Sequence, residues 1–141
     1  MNPLLHPVAA RREALSALEE ERAEKIAARN SRMMSLYASG VPTARIAEAA
    51  SMTPASVRKI SGQQGVARGE ARAVTEADEV NLEWLRRLLR AVDKLDAQIA
   101  AAHDARNAAI LAASADGVPH QTIADTAGVS RARVSRLVNG S

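Results

Sequence analysis

Ala38-Ser39-Gly40-Val41-Pro42 returns, at an offset of 77, as Ala115-Asp116-Gly117-Val118-Pro119. The match extends in both directions. Downstream, Ile46-Ala47 aligns with Ile123-Ala124, Ala50 with Ala127, Ala55 with Ala132 and Val57 with Val134. Upstream, Ala28-Arg29-Asn30 aligns with Ala105-Arg106-Asn107, and Leu18 with Leu95. Two copies therefore run over about 8–60 and 85–137, with 61–84 as an insert. A repeat of this length sets the architecture before any single element does.

Composition sets the class. The 141 residues are rich in Ala, Leu, Glu and Arg, and include one Trp, one Tyr and no Phe. Ala and straight-chain residues favour helix, and the aromatic residues that favour strands are nearly missing. An all-α fold is expected, held by thin helix-helix seams. Cysteine is absent, which excludes disulfides, thiolate metal sites and a Cys nucleophile. No apolar stretch approaches the roughly 20 residues of a membrane span, and the opening residues lack a signal peptide's pattern. A cytoplasmic, nucleoid-associated protein with no membrane partner is the expectation. Net charge is +3. Residues 43–73 carry five basic against two acidic side chains, and 74–115 seven acidic against five basic.

Each copy reads as a long helix followed by two short ones. The first long helix begins after Pro7 and closes at Gly40, where a left-handed residue is expected before Val41-Pro42. The second starts from Thr75 as N-cap, with Glu76, Asp78 and Glu79 against the positive end of the helix dipole. It closes at Gly117. Between the copies, the glycines of Ser61–Gly69 predict a flexible linker. The expected segments are 1–60, a linker 61–74, and 75–141.

The segment after each Gly-Val-Pro resembles the helix-turn-helix motif. In that pattern the fifth position is small, the ninth favours Gly, and the fourth, eighth, tenth, fifteenth and eighteenth are apolar. From Thr43 these are Ala47, Ser51, Ile46, Ala50, Met52, Val57 and Ile60. From His120 they are Ala124, Gly128, Ile123, Ala127, Val129, Val134 and Leu137. A small fifth residue lets two helices cross closely, and Gly suits a left-handed turn. The second copy fits throughout. The first departs at Ser51, whose left-handed conformation costs ~1 kcal/mol, and carries Pro54 in the first turn of its second short helix, with Thr53 as N-cap. The apolar set is expected to pack on Met33, Met34 and Tyr37 in one copy and on Ile110 and Leu111 in the other. The three-helix form is similar to the promoter-reading region of sigma factors and to resolvase DNA-binding domains. The whole chain resembles small regulators of phages and mobile elements.

That resemblance implies double-stranded DNA as partner and two recognition helices. The second offers Ser130, Arg131, Arg133, Ser135 and Arg136, with no acid on its face, and Arg reads guanine edges or holds phosphates. The first offers Thr53, Ser56, Arg58 and Lys59. Arg68 and Arg72 in the linker could lie in a minor groove as a DNA arm, although a solvated linker is the plainer account. His6, His103 and His120 lack partners at metal-ligand spacing. No catalytic constellation is visible. The expectation is no enzyme, no cofactor and no metal.

The long helices carry apolar stripes of their own. Leu15, Leu18 and Ile26 lead to Met33 and Tyr37 on the first. Leu82, Leu85, Leu89 and Val92, flanked by Leu88, Leu95 and Ile99, mark the second. Such stripes must be buried, either by pairing within one chain as a pseudo-dimer or between two chains as a homodimer, the latter slightly favoured. The expected function is transcriptional regulation, repressor-like, on a bipartite site. The rivals are an architectural or centromere-binding protein, and an adaptor with only the second unit on DNA.

Overall fold

The computed structural model describes residues 2–140. After a 3-10 turn at Pro3–Leu5 come six helices: α1 His6–Ala38, α2 Thr43–Ala49, α3 Pro54–Gln64, α4 Glu76–Ala115, α5 His120–Ala127 and α6 Arg131–Asn139. The chain is all-α, with no strand among the described residues. No helix among them is long and apolar enough to cross a membrane.

The helix ends follow local chemistry. Gly40 and Gly117 stand just past the two long helices at φ +93° and +88°, the left-handed region that favours glycine. Thr75 and Asp78 cap α4 reciprocally: Thr75 Oγ1 accepts from the Asp78 N–H at 3.2 Å, and Asp78 Oδ2 accepts from the Thr75 N–H at 2.9 Å. Glu76, Asp78 and Glu79 all fall in the first turn, where the helix dipole favours negative charge.

One boundary differs from the sequence expectation. Helix α3 runs through Gly62 and ends only at Gln64, with Gly65 as its left-handed cap. Ser61, expected in the linker, is buried and donates from Oγ to the Arg58 carbonyl at 2.8 Å. One glycine in a helix costs ~1 kcal/mol, too little to stop a helix whose Val57 and Ile60 are packed below it.

Packing divides the chain into two compact units, one built from both ends of the sequence and one from a single continuous stretch. The terminal unit comprises Met1–Glu21 and Leu95–Ser141, and the central unit is Arg22–Lys94. Both long helices enter both units. In the central unit, Met33, Met34, Leu36 and Tyr37 of α1 pack with Ile46, Ala47, Val57 and with Leu82 and Leu85 of α4. In the terminal unit, Ile110 and Ala113 of α4 pack with Ile123, Ala124, Val134 and with Leu5 and Val8. Each pair of short helices therefore rests on the end of its own copy's long helix and on the beginning of the other copy's. In the central unit, Met33 and Tyr37 of the α1 stripe share a core with Leu82 and Leu85 of the α4 stripe.

Candidate nucleic-acid interface

In the terminal unit, α5 and α6 are joined through Gly128, left-handed at φ +73°. Ala124, 1 % exposed, lies at the crossing of these helices and of the core beneath. Ser130 opens α6, its Oγ accepting from the Arg133 N–H at 3.1 Å. Burial of Val134 and partial burial of Leu137 and Val138 fix which side of α6 faces inward. Arg131, Ala132, Arg133 and Arg136 are left exposed. No ion-pair partner of those three arginines is found among the described residues. The face is positive and holds no acid.

Ser135, grouped with this face from the sequence, lies elsewhere. It is half-buried, and its Oγ is 3.1 Å from Nδ1 of His120, whose Nε2 is 3.3 Å from Ser114 Oγ. The imidazole thus ties α6 to the end of α4.

In the central unit the turn between α2 and α3 is carried by Ser51 at φ +54°, the one non-glycine residue with positive φ among the described residues. Thr53 caps α3, its Oγ1 accepting from the Ser56 N–H at 3.1 Å, and the two hydroxyls lie 2.9 Å apart. Arg58 and Lys59 are exposed, while Ser56 is half-buried and engaged with Thr53. This face carries two charges where α6 carries three.

Arg68 and Arg72 do not form a free arm. The segment after Gly65 is bound along its length: the Gly69 N–H donates to the Tyr37 carbonyl at 3.1 Å and the Arg72 N–H to the Gly40 carbonyl at 3.2 Å. Arg68 donates to the Val41 carbonyl at 2.9 Å and lies over the Tyr37 ring, 5.4 Å from its centroid. Arg72 grips both carboxylate oxygens of Asp78 and donates to the Ser39 carbonyl. That guanidinium, followed by the Thr75 N–H, holds the Asp78 carboxyl well below the usual carboxylate range against the opposing effect of burial. The sequence missed this because Gly and Ala signalled looseness, whereas Gly69 is small in order to approach. A Cβ there would stand 2.0 Å from the Ala38 carbonyl oxygen.

Sequence reasoning also missed two arginines. Arg12, on α1, donates to the Asp125 and Thr126 carbonyls, both at 3.3 Å, at the end of α5. A cation is favoured there by the helix dipole. Its guanidinium covers the turn, within 2.8 Å of where a Cβ on Gly128 would be. The repeat gave no hint of it, since the counterpart of Arg12 is Leu89. The second is Arg106 of α4, only 8 % exposed, whose Nε has no hydrogen-bond partner. Burial, and then the charge of Arg133, lower its pKa, with Glu19 opposing. The signal for it was present in the repeated Ala-Arg-Asn at 28–30 and 105–107.

Leu111, expected in the core, is 43 % exposed. Ala109, Ile110 and Ala113 supply that surface instead, because they lie on the side of α4 that meets α5 and α6. A cleft of the central unit, about 550 Å³, is lined by Ser31, Ser35, Ser39, Arg32, Arg72 and Trp84 among others. Its cations are engaged: Arg32 donates to Asn81 Oδ1 and stacks on Trp84 at 4.2 Å, and Arg72 holds Asp78. In comparison with known proteins, the chain matches no family model, no curated protein and no solved structure.

Proposed function

We propose that this chain is a sequence-specific regulator that binds double-stranded DNA, with α2–α3 and α5–α6 acting as helix-turn-helix units on a bipartite site. The observation that carries the reading is the outer face of α6. Three arginines stand exposed there, without acidic partners among the described residues, on a helix capped by Ser130 and fixed from below by Val134. Desolvating such a face is costly unless it meets anions, and a guanidinium fork matches both phosphate oxygens and the O6/N7 edge of guanine. Helix α3, similarly capped and free of acid on its outer face, supplies a weaker second reader. Occlusion of a promoter is the mode of action we favour.

Selection of bound duplexes from a random pool, followed by footprinting, tests this reading. Enrichment of one compact site with two protected segments supports it. Protection of a single short segment, lost with the α6 arginines alone, would favour an adaptor whose first unit docks elsewhere. Failure to enrich any sequence would remove sequence-specific regulation.

A further inference from the structure

Helices α3 and α6 hold equivalent places in the two copies, and the offset of 77 pairs their residues one to one. The residues that fix each helix match. Both caps are hydroxyl side chains, Thr53 and Ser130, each accepting from the N–H three residues on. Val57 and Val134 are identical and fully buried, and Ile60 and Leu137 pack behind them. An exposed alanine stands at 55 and again at 132.

The other pairs on the outer sides are all unlike. Pro54 aligns with Arg131, and Ser56 with Arg133. Ser135 is drawn to His120, whereas its counterpart Arg58 is exposed, Thr43 standing where the histidine would be. Lys59 aligns with Arg136, which keeps the charge but not the bidentate fork. The charges have therefore moved as well as changed. On α6 they begin in the first turn, at Arg131. The first turn of α3 instead exposes Pro54, Ala55 and the Thr53 side chain, whose hydroxyl is used in the cap, and its cations come only at 58 and 59.

Recognition helices of the helix-turn-helix class touch base edges with their N-terminal residues. A guanidinium there suits the O6 and N7 acceptors of guanine, whereas small apolar groups suit the methyl of thymine. Two identical heads would specify two identical half-sites; these heads are framed alike and faced differently. We infer that the chain reads an asymmetric duplex site, with a guanine-bearing half-site at α6 and a thymine-bearing half-site at α3. Each bound chain then points one way along the DNA. The inference rests on the DNA-binding reading above and names the class of duplex that the same two heads take.

Two measurements on the full-length protein test it. The first selects duplexes from a random pool with wild type and with two grafts. One graft gives α3 the outer residues of α6 (Pro54→Arg, Ser56→Arg, Arg58→Ser, Lys59→Arg). The reverse graft (Arg131→Pro, Arg133→Ser, Arg136→Lys) leaves Ser135 on His120. Thermal melts establish that each is folded, and either graft suffices if the other is not. Wild type should enrich two unlike half-sites in one fixed order. The first graft should replace the thymine half-site with a second guanine one, and prefer that duplex to the wild-type site by roughly tenfold. The reverse graft should leave two thymine half-sites. The second measurement uses the absence of cysteine from the chain: Asn139→Cys, at the end of α6, carries an iron chelate that cuts nearby DNA. Cuts should fall beside the guanine half-site alone. Two like half-sites selected by wild type, or cuts beside both half-sites, overturn the inference and leave DNA binding intact. A single half-site does the same, since α3 then reads nothing. Unlike half-sites that a folded graft does not alter overturn the assignment to these residues. Failure to enrich any duplex removes the DNA-binding reading and the inference with it.

Discussion

Val8 holds in the terminal core the place that Leu85, its counterpart at the repeat offset of 77, holds in the central core, and both are fully buried. The neighbouring pair, Leu5 and Leu82, is related in the same way. The repeat thus reaches at least three residues before the matched stretch beginning at 8, to a leucine present in both copies. Each pair of short helices depends on a segment far away in sequence.

That dependence is measurable. Leu85→Ala should cost ~2–5 kcal/mol, as buried leucine truncations do, and lower the amide hydrogen-exchange protection of α2 and α3. Val8→Ala, a smaller truncation, should do the same to α5 and α6. Protection lost only around the substituted helix, with α2 and α3 unaffected by Leu85→Ala, would refute the exchange.

The Arg72–Asp78 pair should make the central unit sensitive to acid. The folded Asp78 value lies below the unfolded one of about 3.9. The stabilisation is therefore complete above that unfolded value and fades as pH falls through the folded one. Asp78→Asn keeps the cap on Thr75 and removes the charge. At neutral pH the variant should melt below wild type, and the gap should narrow as pH drops below about 4. A gap of constant size from neutral to acid pH would show that the pairing contributes nothing to stability.

Much of the fold was legible because its signals are local. Thr75 and Thr53 announce helix starts through side chains that reach only three residues ahead, and Gly117 announces an end; Ser130, read only as part of the outer face, proved to be a cap of the same kind. Ser51 was marked as a departure from the motif, yet it takes the left-handed conformation that the pattern's glycine would supply. Other features were not, because their causes are remote. Arg12 meets the end of α5 across 113 positions, and Arg72 reaches back 33 to Ser39. A linker rich in Gly looks loose until the partner backbone it approaches is known. The arginine face of α6 came from pattern alone, but Ser135 did not: its His120 partner lies on another helix.

Gly62 and Gly69 separate these two meanings of glycine. Gly62 sits inside α3 with open space where a Cβ would go, so Gly62→Ala should stabilise by ~0.5–1 kcal/mol. At Gly69 the added carbon would collide with the Ala38 carbonyl and stand 2.8 Å from the Gly40 nitrogen. Gly69→Ala should lower stability and free the segment 66–75. Urea denaturation of both variants decides; equal effects would mean that the segment is not held against Gly40.

The last prediction ranks the two basic faces. Arg131, Arg133 and Arg136 stand exposed on α6, and Arg58 and Lys59 on α3. A base-reading arginine is worth ~1–3 kcal/mol of discrimination, whereas a phosphate contact weakens binding to all sequences alike. Within this reading, Arg131→Ala, Arg133→Ala and Arg136→Ala should each either lower preference for the selected site over random duplex, where the side chain reads a base, or weaken both together, where it holds a phosphate. The double variant Arg58→Ala/Lys59→Ala should retain more affinity than the triple α6 variant, because Thr53 and Ser56 bond chiefly to each other and α3 has fewer charges. Ser135→Ala should leave site preference unchanged and lower the melting temperature, since its partner is His120. Titration of each variant against the selected duplex and a random one provides the readout. If removing Arg58 and Lys59 proves the more damaging change, α3 is the principal reader and α6 the accessory one.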